Sequence, residues 1–307
     1  MVSDMSGKVS MADEVLNLKR RMGAVILAHN YQRPEIQDLA DFVGDSLQLS
    51  VEATKVDQQV IVFCGVSFMA ETAKILNPKK EVLIPRRDAR CPMADMAPAA
   101  DVARASEEYP NAAVVCYVNT NADVKALSDV CCTSSNAVDV VNSMGEEEII
   151  LVPDANLASY VSTRTRKTII PWRGFCYVHA GMTAEEAMRA KETHRNATLL
   201  VHPECPPEVT RIADRVLSTG GMIRFAHQSD AKEFLIGTEA GILHRLQKEN
   251  PGKRFMPAGS PRVCVNMKRI GVRDLWKSLS TGNYRVQVGE ETRVKAERAL
   301  RRMLEAS

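Results

Sequence analysis

AVILAHNY at residues 24–31, AAVVCYVN at 112–119 and ATLLVHPE at 197–204 are short apolar runs that open on alanine and close on polar groups. Ala24, Ala112 and Ala197 start them, so the copies stand 88 and 85 residues apart. The same spacings relate VIVFCG, EIILVP and EFLIGT, which begin at Val60, Glu148 and Glu233. A third set, EVLIP, KTIIP and KRFMP, ends at Pro85, Pro171 and Pro257, 86 residues apart each time. Each of these prolines is followed five to seven residues later by a cysteine: Cys91, Cys176 and Cys264. Similarity at a fixed period marks a repeated structural unit.

Continuously apolar strands alternating with helical patterns predict parallel sheets covered on both faces. The expected fold class is α/β, with three homologous three-layer (Rossmann-like) αβα domains around a pseudo-threefold axis. Each is read as a β-α-β-α-β-α unit, at 23–110, 111–196 and 197–284. Flanking helices are expected at 11–22 and, within 285–307, at 290–305, while residues 1–10 are expected to be mobile. Thr183 with Glu186 three residues on predicts a capping box after Cys176.

The composition agrees with a large folded core. The chain has 307 residues, 45% hydrophobic and 25% charged, which excludes disordered, collagen-like and coiled-coil classes. Forty basic and 38 acidic side chains leave a net charge of +2, so no whole-chain field favours nucleic acid or membrane. No apolar stretch approaches the ~20 residues needed to cross a bilayer, and the start MVSDMSGKVSMADEV has no apolar signal region. A cytoplasmic protein is the expectation. Eight cysteines with no C-x-x-C among them fit neither a secreted disulfide framework nor a zinc ribbon.

In parallel sheets ligands bind where strands end and helices begin. Strand ends therefore nominate His29, Tyr31, Tyr117, Asn119, His202 and Glu204 as residues that can converge on one volume. Ser46, Ser134 and Thr219 lie fifteen to seventeen residues beyond, and each is read as a helix N-cap at an anion-binding helix end. Taken singly, such a residue is more often a simple cap. Cys91, Cys176 and Cys264 stand out by equivalent placement; Cys64, Cys116, Cys131, Cys132 and Cys205 read as core thiols. Three thiolates about an axis suit either a tetrahedral zinc or a cubane iron-sulfur cluster with one open iron, and spacing does not choose between them.

These strings resemble the quinolinate synthase family. The resemblance runs from about residue 12 to 280 through ILAHNYQRPEIQDLADFVGDSLQLS, CGVSFMAETAKILNP, ARCPMADM, YVNTNADVKALSDVCCTSSNAV, GFCYVH, VHPECP, STGGM, IGTEAGILHRL and CVNMKR. It implies a [4Fe-4S] cluster on Cys91, Cys176 and Cys264. It also implies condensation of iminoaspartate with dihydroxyacetone phosphate to quinolinate, phosphate and water, in NAD biosynthesis, with the open iron as a Lewis acid. Binding positions implied are His29, Ser46, Tyr117, Val118, Asn119, Ser134, His202, Pro203, Glu204 and Thr219, with Tyr31, Met69 and His179 in the same cavity. Glu204 and His202 are expected as the base pair, with Tyr31 and His29 as proton carriers. The enzyme that makes the imino acid is the macromolecular partner this reading suggests. An iron-sulfur hydro-lyase acting on a hydroxy-acid is the rival enzyme reading, and a metal or redox sensor the rival from another class. A dinucleotide-binding dehydrogenase is disfavoured, because no G-x-G-x-x-G follows a strand.

Overall fold

The computed structural model describes residues 10–306; the segment expected to be mobile falls almost wholly outside them. Twelve strands form three parallel four-stranded sheets. The first holds β1 (Ala24–His29), β2 (Phe42–Gly44), β3 (Val60–Cys64) and β4 (Glu81–Leu83). The second holds β5 (Ala112–Tyr117), β6 (Val130–Cys132), β7 (Glu148–Val152) and β8 (Thr168–Pro171). The third holds β9 (Thr198–Val201), β10 (Arg215–Val216), β11 (Glu233–Gly237) and β12 (Arg254–Pro257). Their orders are β2-β1-β3-β4, β6-β5-β7-β8 and β10-β9-β11-β12, one topology built three times. The fold is α/β with three αβα layers, as the repeats imply.

Each sheet has one strand more than the sequence suggests. β2, β6 and β10 are only two or three residues long, too short to carry a periodic pattern. A side chain secures each of them. Asp41 Oδ2 accepts from the Ile26 N–H at 2.8 Å, Asp129 Oδ2 from Val114 at 2.9 Å and Asp214 Oδ2 from Leu199 at 2.7 Å. The backbone N–H of each aspartate returns a bond to the carbonyl of the same partner. In the first two copies the pairing continues, since Asn30 N–H donates to Gly44 and Val118 N–H to Cys132. Pro203, the third equivalent, has no N–H, and β10 is the shortest strand of the three.

The strands alternate between two apolar layers, as residues on opposite faces must. Val25 and Leu27 of β1 pack into one buried cluster, whereas Ala24, Ile26 and Ala28 pack into another. Leu199 and Val201 of β9 face one layer and Leu200 the other. β4, β8 and β12 are edge strands, and β8 and β12 end on proline, the position where a missing N–H costs the ladder least.

Helices Met11–Met22 and Glu290–Glu305 lie outside the triplication. The first opens with a full Ser10–Asp13 capping box and packs on helix Val272–Thr281. The last buries Ala296, Ala299, Leu300 and Met303 against the second repeat. Helix Ala184–Thr193 keeps half of its expected box. Thr183 accepts from the Glu186 N–H, but the Glu186 carboxylate turns to Ser260 and Arg262 of the third repeat.

If the aspartates hold the edge strands, Asp129→Ala leaves the Val114 N–H without a partner and lowers unfolding free energy by about 1–3 kcal/mol. Asp129→Asn, which keeps an acceptor oxygen, loses less than half of that. Urea denaturation of the two variants reads the difference, and equal losses contradict the assignment.

Candidate active site

The carboxyl ends of the three sheets open on one cavity. Repeat one contributes His29, Tyr31, Ser46, Met69 and Cys91 to its wall; repeat two contributes Tyr117, Asn119, Ser134, Cys176 and His179; repeat three contributes His202, Glu204, Thr219 and Cys264. Val118 and Pro203 are buried without lining it. The remaining cysteines, Cys64, Cys116, Cys131, Cys132 and Cys205, are buried core thiols that do not line it either.

The three hydroxyls are not the helix caps. Asp45 caps helix Ser46–Lys55 and Ser218 caps helix Thr219–Gln228, so Ser46 and Thr219 occupy the first helical position. Helix Ala137–Ser143 starts later still, after a turn in which the Thr133 N–H donates to Asn136 Oδ1 at 2.7 Å. Asp45, Thr133 and Ser218 share the repeat spacing, one residue upstream of the expected caps. These helix starts meet. Asp45 Oδ2 lies 3.2 Å from Ser135 Oγ, 3.3 Å from Ser218 Oγ and 3.2 Å from the Gly220 N–H. A Cβ on residue 220 would stand 2.4 Å from that oxygen, which is why glycine is there. Part of the positive potential of the helix ends is thus already taken by a carboxylate of the chain itself.

Two cysteine loops are pinned by buried carboxylates at equivalent positions. Asp154 Oδ2 accepts from the Cys176 N–H at 3.1 Å, and Glu239 Oε1 from the Cys264 N–H at 3.2 Å. Val66 fills the matching place in the first copy, where the Ser67 N–H to Ala89 carbonyl bond holds the Cys91 loop. Burial pushes the Cys91 thiol up to about 12 and raises Cys176 and Cys264 as well. Such thiols keep their protons until a cation replaces them.

The acid–base groups form a buried array. Glu204 receives the Tyr117 hydroxyl on Oε1 at 2.5 Å and faces His179 Nδ1 through Oε2 at 2.8 Å. Burial alone raises this carboxyl, but the His179 and His202 rings and the Tyr117 hydroxyl outweigh it and hold Glu204 below the usual carboxylate range. His29 Nδ1 accepts from the Tyr31 N–H at 3.2 Å, and His202 Nδ1 from the Glu204 N–H at 3.3 Å. Both rings therefore carry their proton on Nε2. His202 Nε2 meets Ser134 Oγ at 3.1 Å. Burial drives both histidines down to about 3, with Lys268 adding to the effect on His29. They are neutral donors at pH 7 and have no free lone pair for a base.

Several residues of the site escaped the sequence reading. Asp45 and Thr133 line the cavity, and Thr238 lies behind it. Thr238 is the terminal residue of EFLIGT, so the strand-end rule that nominated His202, applied to this run as well, would have found it. Asn119 Oδ1 is buried with no hydrogen-bond partner, an acceptor waiting for a donor. Among the described residues, one set of three possible metal donors lies within 4.8 Å of one another: Cys176, His179 and Glu204.

Thiols, an ionised carboxylate and neutral imidazoles around one cavity at the sheet ends define a triplicated α/β enzyme scaffold able to hold a metal cofactor. Residues 13–305 match the family model described as Quinolinate synthetase A protein. A quinolinate synthase of Methanoregula boonei is 53% identical over 294 residues, covering 96% of this chain and 97% of that protein. Quinolinate synthases of Thermodesulfovibrio yellowstonii and Pyrococcus furiosus are also 53% identical, over 293 and 296 residues. Those alignments cover 95% and 96% of this chain and 97% of each relative. The chain belongs to the quinolinate synthetase A family, a family of enzymes. Among the described residues no helix is long and apolar enough to cross a membrane.

Neutral burial of His29 and His202 has a sign in pH. Their folded pKa values, about 3, lie below the ordinary 6.5, so the unfolded chain binds more protons in between and stability falls as pH drops below 6.5. From pH 7.5 to 5.5 each ring should cost about 1.4 kcal/mol. Urea denaturation at the two pH values measures the loss, and His202→Asn should remove one ring's share. An undiminished loss in that variant contradicts the assignment.

Proposed function

We propose that this chain condenses iminoaspartate with dihydroxyacetone phosphate, giving quinolinate, inorganic phosphate and water on the de novo route to NAD. A [4Fe-4S] cluster on Cys91, Cys176 and Cys264 is the cofactor of this reading. The observation that carries it is the convergence of one thiol from each repeat on the cavity that also holds Glu204.

The donor set favours a cluster over a single ion. One tetrahedral metal with bonds of about 2.3 Å draws its thiolates to roughly 3.8 Å of each other. The three cysteine sulfurs are not all within 4.8 Å of one another, wider than a single tetrahedral metal would draw them. The tighter Cys176–His179–Glu204 set is a poor rival, because the carboxylate and ring are already committed to each other and to Tyr117 and Thr238. Bound at the cysteines, the cluster supplies an open iron that serves as a Lewis acid without changing oxidation state.

The chain's own residues account for binding and proton movement. Among the described residues no lysine or arginine lines the cavity, so substrate carboxylates and phosphate are held by neutral donors. These are the hydroxyls of Ser46, Ser134 and Thr219 and the Nε2–H groups of His29 and His202. Asn119 Oδ1 accepts from the imino or amino nitrogen. Met69, with Val66 and Phe68 beside it, forms an apolar wall that keeps water from reactive intermediates. Phosphate elimination, the keto-to-aldehyde shift, imine closure and dehydration each move a proton. Glu204 is ionised and takes protons from carbon; Tyr31 gives and receives them at oxygen; Tyr117 holds the carboxylate in place. His29 and His202 act by donating, a narrower role than the proton carriage expected of His29 and the part in the base expected of His202.

Anaerobic protein given oxaloacetate, ammonia and dihydroxyacetone phosphate should form quinolinate, with no product when the triose phosphate is left out. Absence of quinolinate from iron-loaded protein contradicts the proposal, and turnover of a hydroxy-acid alone would support the hydro-lyase reading. Cys91→Ala, Cys176→Ala and Cys264→Ala should each lose the iron, whereas Cys205→Ala keeps it. Retention of full iron by any of the first three breaks the ligand assignment. Glu204→Gln should keep its iron and lose about 10²–10⁴-fold in kcat; unaltered turnover would remove Glu204 from the chemistry.

A further inference from the structure

Three equivalent junctions join neighbouring repeats. The helices that follow β3, β7 and β11 pack on the helices that follow β5, β9 and β1: Ser67–Leu76 on Ala122–Ala126, Ala155–Ser162 on Pro207–Ile212, and Ile242–Glu249 on Pro34–Leu39. The first junction is covered, because helix Glu290–Glu305 packs on both of its helices. The last is locked by charge, with Asp38 accepting from Lys248 Nζ at 2.6 Å and from His244 Nε2 at 3.0 Å. The middle junction has neither device. It opens as a surface groove between the second and third repeats.

The repeat spacing shows what has been exchanged there. Arg211 stands where the locked junction has Asp38, and Ser159 and Thr163 stand where it has His244 and Lys248. Arg164 likewise takes the place of Glu249. All four line the groove, together with Arg215 of β10. Among the described residues none of these three arginines forms an ion pair with a carboxylate. Each spends donors of one nitrogen on a nearby oxygen, and its other N–H groups remain for a ligand. Arg164 is also held on the Tyr160 ring, its guanidinium carbon 3.8 Å from the centroid. Asp214 is the one acid among the described residues of the wall, and Lys191 pairs with it at 2.7 Å. The charge relation is therefore inverted. The locked junction sets one carboxylate against two cations, whereas the open one sets arginines against hydroxyls.

We infer that this groove binds a small molecule carrying a pyrophosphate or two neighbouring phosphoryl groups. Arg164 belongs to the second repeat and Arg211 and Arg215 to the third, so one ligand must answer groups on both walls. Guanidinium groups meet phosphate oxygens in pairs, and two phosphoryl centres offer more acceptors than a single tetrahedral anion. Ser159, Thr163 and Thr210 add neutral donors. The groove shares no lining residue with the central cavity. It is joined to it all the same. Asn156 in the groove wall donates from Nδ2 to the Glu204 carbonyl at 3.0 Å, and Asp154, which caps the same helix, holds the Cys176 N–H. A ligand bridging the two walls steadies the helix that positions both.

Calorimetric titration of the iron-loaded protein with pyrophosphate, in about 0.1 M salt, tests the site. The wild type should bind with a Kd below about 1 mM, and Arg211→Gln and Arg164→Gln should each raise that Kd about tenfold or more. Sulfate should bind about tenfold more weakly than pyrophosphate. ADP identifies the source: binding at least as tight as pyrophosphate points to a nucleotide, weaker binding to the free diphosphate. Hydrogen exchange in helix Pro207–Ile212 should slow several-fold on binding in the wild type and not in Arg211→Gln. Arg211→Asp combined with Thr163→Lys rebuilds the ion pair of the locked junction, and this variant should fold like the wild type and bind no pyrophosphate. Absence of binding at millimolar pyrophosphate overturns the proposal. So does a Kd unchanged in both glutamine variants, since neither residue lines the cavity and the anion would then sit elsewhere. Sulfate binding as tightly as pyrophosphate overturns the ligand class. None of these readouts uses turnover, so the outcome stands whichever reaction the cavity performs.

Discussion

One buried carboxylate ties the three repeats together. Asp45, from the first, lies within hydrogen-bond distance of Ser135 in the second and of Ser218 and Gly220 in the third. Sheets of four short strands have little reason to face a common centre unless their helix starts are held there. A carboxylate is the group that can answer several such starts at once, because it accepts at both oxygens and counters their partial positive charge. Its second oxygen caps its own helix through the Gln48 N–H at 2.8 Å. With that junction made, the three cysteine loops and three first-strand ends have no choice but to open on one space.

The triplication is a scaffold, and the chemistry comes from where the copies differ. His29, Tyr117 and His202 occupy one set of equivalent positions; Tyr31, Asn119 and Glu204 occupy another. The first copy thus brings the phenol, the third brings the carboxylate, and the second brings the amide and the phenol that steadies that carboxylate. His179 has no part in either set and enters from the helix after Cys176. It joins the Cys176 loop of the second repeat to Glu204 of the third. Cys91, Cys176 and Cys264, like the hydroxyls of Ser46, Ser134 and Thr219, stay in corresponding places in every copy.

Much of this was legible in the residues because the repeats are nearly equal in length. Equal spacing picked out the strand ends and the three thiols, and the long apolar strands announced themselves by composition. What could not be read were features made by contacts between distant segments. Asp41, Asp129 and Asp214 keep the repeat spacing, yet nothing local marks an aspartate that bonds a backbone N–H fifteen residues upstream. Two helix caps were misplaced by one residue because Ser46 and Thr219 are themselves good caps, and only the backbone reveals that Asp45 and Ser218 do the capping. Thr238 went unnoticed because its equivalents, Gly65 and Pro153, carry no side chain able to act. The tautomers of His29 and His202 depend on backbone N–H groups two residues on, a matter of loop shape.

The central claim is that three thiols, one per repeat, hold a single iron centre in the shared cavity. Crystals grown without oxygen, with diffraction collected on both sides of the iron absorption edge, would locate iron directly. The account predicts one compact anomalous feature in the cavity, bonded to the sulfurs of Cys91, Cys176 and Cys264. Iron bound by Cys176, His179 and Glu204 instead, or sulfurs each facing its own separate site, would contradict it.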